Sequence, residues 1–522
     1  MLKFSLKTSS FLIALGLVLS IATGAQAADQ YTPERVPLPN DNSKIMMMIT
    51  EEGLVDNQTH IGVPPLKNKT QDNKQWLWCD KSTDQACDYK SGDNQLDAQS
   101  VLPVCSQSSS AACVEGLQLS TAGGDFIDAT YVRTATGGPR NIADAAHNLL
   151  EGTSSSIFDA PTVPSVSGTT KYTVIVTARQ HYEPSTKMFT TFAMNAIVVP
   201  VRDDANSYYG QISADGNGAG RTNMCAYWDV GHCGIPQDFS EGTRVRLKVK
   251  VPSELGGWFR GRIKNPQISI EPASAKTNLL TIEGESVSVP RLAIPVDRAT
   301  ISSGDKDFID RLGGWGTPAG VATGTNGSRP EAVTIIDKYR DALKDTSTGM
   351  STFWSMSTLE GGNNNPCITD TSKVLGIVTT NAMAYNGSAP SFQGGALNYK
   401  VAGLHFMPDG VTAFEGTYDL VMRSDTARCL YGFSKAPVSA TISVTGSNGE
   451  TKTATTVVKE TKDGWLKLAA YGFTFSSPTI SVKLSQAKAT VVKSTTITCV
   501  KGKTSKKVTG KSPKCPAGFK KK

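Results

Sequence analysis

The chain has 522 residues, with 48 glycines, 26 prolines and only 19% charged residues. That composition excludes a helix bundle or coiled coil and favours turn-rich β structure. The net charge of +7 hides an asymmetry: residues 493–522 contain ten lysines and no acid.

Residues 1–27 read as a secretory signal. Lys3 and Lys7 form a positive start, residues 11–21 form a short apolar core, and Ala25-Gln26-Ala27 offers small residues for cleavage. The core is too short for a membrane span, and no later apolar run reaches the roughly 20 residues a helical span needs. The expectation is a secreted, extracellular or wall-associated protein with no transmembrane segment in the mature chain. Without Lys3 and Lys7 the charge is +5, so residues 28–492 carry −5 and the tail +10.

Secretion puts the ten cysteines in an oxidising compartment. Three pairs share the spacing i to i+8: Cys79/Cys87, Cys105/Cys113 and Cys225/Cys233. Cys367/Cys429 and Cys499/Cys515 are the remaining neighbours. The expected bridges join these five pairs, and Cys79–Cys113 with Cys87–Cys105 stays open as an alternative. Zinc ligation is disfavoured, since no CxxC and no suitably spaced His pair occurs.

In chain order, residues 28–120 read as a loop-rich, disulfide-held segment. Trp76 and Trp78 would share one face of a strand there, packed beside a bridge or offered to a sugar ring. Residues 121–300 read as a β-rich domain, with strands at 172–178, 193–201, 268–270 and 286–289. The clearest strand spans 244–251. It puts Val245, Leu247, Val249 and Val251 on one face and Arg244, Arg246, Lys248 and Lys250 on the other, and Pro252 stops it.

Residues 301–350 read as a helical insert. Ser328-Arg329-Pro330-Glu331 has the form of a capping box, and Ala332, Ile336, Tyr339 and Leu343 follow at helical spacing. Residues 351–487 read as a β-sandwich domain, with strands at 374–379, 396–406, 417–423, 437–444, 454–459, 464–470 and 479–484. In the strand from 437, Val438, Ala440, Ile442 and Val444 should face inward and Ser439, Thr441 and Ser443 outward. The fold class expected is mainly β: two β-sandwich-like domains joined by a short helical insert, stapled by disulfides, with a small basic C-terminal tail at 488–522.

The tail, ITCVKGKTSKKVTGKSPKCPAGFKKK, resembles the ending of many secreted and surface proteins of actinobacteria, a CVKGK…CPAGYKKK pattern in which Phe519 replaces the usual Tyr. YDLVMRSDTARCLYGF (418–433) and DGWLKLAAYGFTFSSPTISVKL (463–484) resemble the domain that often precedes this tail. Gly257-Trp258-Phe259-Arg260-Gly261-Arg262, followed by Lys264-Asn265-Pro266, resembles a segment of the upstream domain. The resemblance implies secretion and surface placement. The group is uncharacterised, so no catalytic residue is carried over.

The chain has no Gly-x-Ser-x-Gly elbow, no HExxH and no phosphate-binding glycine loop. His60, His147, His181, His232 and His405 are scattered. Asp305, Asp307 and Asp310 offer hard oxygen ligands as a weak calcium candidate, but they lack the EF-hand pattern and also suit a helix start. Asn57, Asn68, Asn326 and Asn386 match the glycan acceptor pattern, which in a bacterial protein reads as chance. No cofactor is expected. The functional expectation is a non-enzymatic binding or adhesion protein. Its partner would be an anionic wall or surface polymer, held by Lys501, Lys503, Lys506, Lys507, Lys511, Lys514, Lys520, Lys521 and Lys522. A glycan is a further candidate ligand, and nucleic acid is not a physiological one. A secreted glycan-active enzyme using paired carboxylates is the alternative.

Overall fold

In the strand Arg244–Pro252 every second side chain is apolar, and Val245, Leu247, Val249 and Val251 are all fully buried. The computed structural model places it in the middle of a five-stranded sheet. It pairs antiparallel with Cys113–Ser120 on one side and Thr277–Glu285 on the other. Lys264–Pro272 forms one edge of that sheet and Ile127–Asp128 the other. The structure describes residues 43–51, 58–63, 77–79, 84–90, 96–108, 111–204, 225–229, 232–312, 322–359, 365–370, 372–433, 438–445, 451–454, 459–461, 463–475, 479–486 and 495–522.

The buried face of the five-stranded sheet packs on a fifteen-stranded sheet. The long hairpin Lys171–Glu183 and Met188–Asp204 lies at its heart, built from β-branched runs. Gly257–Arg262, Val374–Thr380, Glu415–Arg423 and Trp465–Thr474 continue it side by side. Val174, Val176, Met194, Val198, Phe259, Ile377 and Val421 point from this sheet into one core with Leu247, Val249, Leu280 and Ile282. This is the first sandwich.

The other face of the sheet's C-terminal half makes the second. Trp258, Leu375, Val378, Tyr418, Leu420, Met422, Leu466 and Leu468 meet Leu397, Tyr399, Val401, Ile442, Ile480 and Val482 of a six-stranded sheet. The inward positions Ile442 and Val444 are buried and Thr441 is exposed, as alternation requires. The side chains of Val438, Ser439 and Ala440 lie outside the described residues. The fold is thus mainly β. One sheet is shared by both sandwiches, and it takes strands from each of the segments 28–120, 121–300 and 351–487.

A four-stranded sheet carries the helices of segment 301–350. Lys44–Thr50 lies between Val287–Asp297, antiparallel, and Ala322–Asn326, parallel. The helix Pro330–Tyr339 buries Ala332, Val333, Ile335 and Ile336 against Met47, Leu292 and Leu404. Its start differs from the capping-box reading. The N-cap is Arg329 and makes no side-chain cap bond. Pro330 accounts for this: it fixes the first helical φ and holds the residue before it extended. A second departure is the helix Ser424–Tyr431, which interrupts the strands of 351–487 and ends at the left-handed Gly432. An eight-residue helix spans barely two turns, too few to impose a helical period on a β-rich stretch.

Five disulfides join Cys79–Cys87, Cys105–Cys113, Cys225–Cys233, Cys367–Cys429 and Cys499–Cys515, with Cα separations of 4.9–6.3 Å. Among the described residues no helix is long and apolar enough to cross a membrane. Residues 1–27 and Trp76 lie outside the described residues, as does the side chain of Trp78.

Candidate functional site

The tail is a sheet of its own. Thr495–Lys501 and Thr504–Gly510 form a hairpin, and Lys520–Lys521 adds a third short strand. The two-residue turn Gly502-Lys503 needs a positive φ, which Gly502 supplies at 58°. Register puts Ile497, Cys499 and Lys501 on one face with Val508, Lys506 and Thr504. Cys515 bridges onto that face. Cys499 is fully buried and Ile497 nearly so, while the Lys506 ammonium sits 5.5 Å from the centre of the Phe519 ring. Lys507 and Lys520 belong to the opposite face. All nine described lysines of the tail, 501, 503, 506, 507, 511, 514 and 520–522, are exposed. Lys493 lies outside the described residues. With no acid in the segment, the lysines surround a small, clipped scaffold with positive charge on both faces and along the edge strand.

Two of the four cations of the other basic stripe are paired with acids. Arg246 pairs with Glu283 at 2.7 Å and Lys250 with Glu115 at 2.6 Å. Arg244 and Arg246 lie over the Phe126 ring, 4.5 and 3.9 Å from its centre. That face is a solvated outer surface with local partners. Asp305 is paired to Lys338, whose hydrogen bond holds its carboxyl below the usual range. Asp307 sits in the first turn of Lys306–Arg311, and the side chain of Asp310 lies outside the described residues. Among the described residues, no group of three or more His, Cys, Asp or Glu is arranged to hold a metal ion.

The histidines have partners that spacing alone does not reveal. His147 Nδ1 lies 3.0 Å from Asp144, His181 2.6 Å from Asp97, His232 3.0 Å from Asp203 and His405 2.5 Å from Asp345. Only the first pair is close in sequence, at i and i+3. The others are brought together by strand pairing and loop packing.

No protein-family model, curated protein or solved structure matches the chain.

One cluster escapes sequence reading altogether. Three segments distant in sequence meet at Asp419. Its carboxylate accepts a 2.7 Å hydrogen bond from the Tyr471 hydroxyl and a 3.2 Å bond from the backbone N–H of Asn265. Asp419 comes from the 418–433 stretch, Tyr471 from 463–484 and Asn265 from Lys264-Asn265-Pro266. Asn265 has φ 52° and forms a bulge with Pro266 where the register slips between Lys264 and Gln267. Lys264 pairs with Glu285 at 3.1 Å and lies 5.7 Å from the centre of the Tyr471 ring. Burial pushes the Asp419 carboxyl up to about 7, with Glu285 adding to the rise and Tyr471, Asn265 and Lys264 opposing it. One acid among 46 cannot be singled out by spacing; contacts across more than 150 residues define it.

Proposed function

We propose that this is a secreted or surface binding protein whose β domains are held at an anionic cell-surface polymer by the lysine tail, and that it acts as a binding module rather than an enzyme. The observation that carries the reading is the tail itself: nine exposed lysines and no acid on a separate, disulfide-clipped sheet. Lysine attracts as a mobile point charge and demands no fixed fork geometry, so the tail suits a polymer of repeated, loosely spaced charges. Each exposed contact is weak, so retention must be collective. It must also be screened by salt, because the Debye length is only about 8 Å at physiological ionic strength. The body, at −5, opposes rather than supplies the attraction.

The test compares the full chain with one stopped at Val492 on purified cell wall across a salt series. The full chain is expected to be retained at low salt and released as salt rises, while the truncated chain flows through. Equal retention of both, or retention indifferent to salt, overturns the reading.

A further inference from the structure

The two faces of the tail sheet carry the same sign of charge and differ in one respect. Lys506, Cys499 and Lys521 stand in one row across its three strands, and Lys501 lies two positions along from Cys499 on the same side. Phe519, two residues before Lys521, falls on that side as well, and the Lys506 ammonium sits 5.5 Å from the centre of its ring. The opposite face offers Lys507 and Lys520 beside Thr498, Val500 and Ser505. It has no aromatic ring, because Phe519 is the only aromatic residue in 493–522.

Local structure fixes the ring. Residues 516–519 form a tight turn, closed by the Phe519 N–H on the Pro516 carbonyl at 3.0 Å, with Gly518 in the left-handed region at 81°. On one side of the turn is Cys515, bridged to Cys499, and on the other the Lys522 N–H bonds the Thr498 carbonyl at 2.8 Å. Gly518 also makes room, since a Cβ there would lie 3.2 Å from the Lys501 ammonium. Lys501 therefore reaches the turn that carries Phe519, and Lys506 reaches the ring itself. The ring stays half-buried where Cys499 is fully buried, so it keeps apolar surface in water beside a cation.

An aromatic plate accepts the apolar C–H face of a sugar ring, and an ammonium beside it accepts an anion carried at that ring's edge. A polymer of bare charges gains nothing from the plate and treats the two faces alike. Charge complementarity makes the occupant an anion, since 493–522 has no acid. The segment also has no arginine, the cation whose plane stacks on unpaired bases, which favours a sugar over a nucleic acid. We propose that the face formed by Phe519, Lys501, Lys506 and Lys521 is the recognition face of the tail, and that its ligand is an acidic polysaccharide. Sugar rings stack on Phe519 while their carboxylates or phosphates meet the lysines. This rests on the tail being the anchor, and it gives the anchor a preference for sugar-based polyanions over ring-free ones.

The experiment passes the full chain, disulfides intact, over immobilised alginate (a polyuronate), over polyphosphate, which has no ring, and over single-stranded DNA. The salt concentration at elution is read for each variant. Phe519→Leu keeps an apolar side chain and loses the ring. It should bind alginate several-fold more weakly and elute from polyphosphate with the wild type, while Phe519→Tyr should match the wild type on both. Lys506→Gln and Lys507→Gln each remove one charge, from opposite faces. They should elute together from polyphosphate, and Lys506→Gln should elute earlier from alginate. That pair decides the matter if Phe519→Leu does not fold. Coincident elution of wild type and Phe519→Leu from alginate, equal losses at Lys506 and Lys507 there, or a Phe519 dependence confined to DNA overturns the proposal and leaves the anchor standing. Coincident elution of the full chain and the chain stopped at Val492 on every matrix overturns the anchor as well.

Discussion

Two buried residues show how much a single side chain decides here. Gly376 sits in a strand whose seven residues are all buried. A Cβ at that position would come within 2.5 Å of both the Trp258 ring and the Val421 carbonyl. Gly376→Ala must therefore push the Trp258 ring off its seat, and overpacking of this kind costs about 1–3 kcal/mol. A lowered unfolding midpoint together with an altered Trp emission is the expected result. Arg262 is the second case. Its guanidinium is fully buried, bonded to Glu51 at 2.6 Å and to the carbonyls of Thr380 and Ala382, with the Tyr385 ring 4.4 Å away. Glu51→Gln leaves that cation without its counter-charge and should cost about 3–5 kcal/mol in denaturant unfolding. Replacing both partners by apolar residues should not restore stability, because two carbonyls would lose their donor. Neither role is legible in the sequence. Gly376 looks like one more glycine in a strand, and Glu51 lies 211 residues from Arg262.

Elements were legible where a period was imposed on enough residues. Arg244–Pro252 shows strict alternation, and each apolar residue in it went to the core. The helix Pro330–Tyr339 was readable from its i, i+4 spacing and its proline, but not its N-cap, because Pro330 and not Ser328 decides where the helical φ begins. The helix Ser424–Tyr431 gave no usable period. The tail hairpin is the element with least packing to rely on: its most buried side chains are Cys499 and Ile497. Its disulfide spans 16 residues, a loop whose closure contributes about 3 kcal/mol in the chain-entropy model. Serine at both Cys499 and Cys515 should therefore open the hairpin and raise proteolysis and amide exchange within 495–522, with the body unchanged. Lys506 and Lys507 sit on an edge strand, where lysine also discourages pairing with another chain. Neutralising them is expected to weaken wall retention and to promote association of the tails, which light scattering would detect.

At the scale of the whole molecule, sequence reading supplies the materials but not how they are shared. Seven short strands in 351–487 suggest a closed sandwich, yet three of those strand regions, 374–379, 417–423 and 464–470, belong to a sheet that begins with His60–Val63 and Leu77–Cys79, and most of the region 454–459 lies outside the described residues. Local alternation fixes which face of a strand is buried. It carries no information on which neighbour the strand joins, so sharing a sheet between two cores leaves no trace in the pattern. The tail is the exception, because its charge, its cysteines and its strand run all change together near residue 490. That independence makes a prediction. The last body strand, Thr479–Gln486, is interior to its sheet, flanked by Ala396–Ala402 and Val438–Thr445. Among the described residues the tail strands pair only with one another, and their disulfide closes within the tail. Among the described residues, stopping the chain at Val492 therefore removes no strand neighbour and no bridge from the body. The truncated protein should unfold in denaturant within about 0.5 kcal/mol of the full chain, as expected for changes away from any core. A larger loss would mean that the tail is part of the body's packing, and the wall-retention comparison would then have to use lysine replacements instead of truncation.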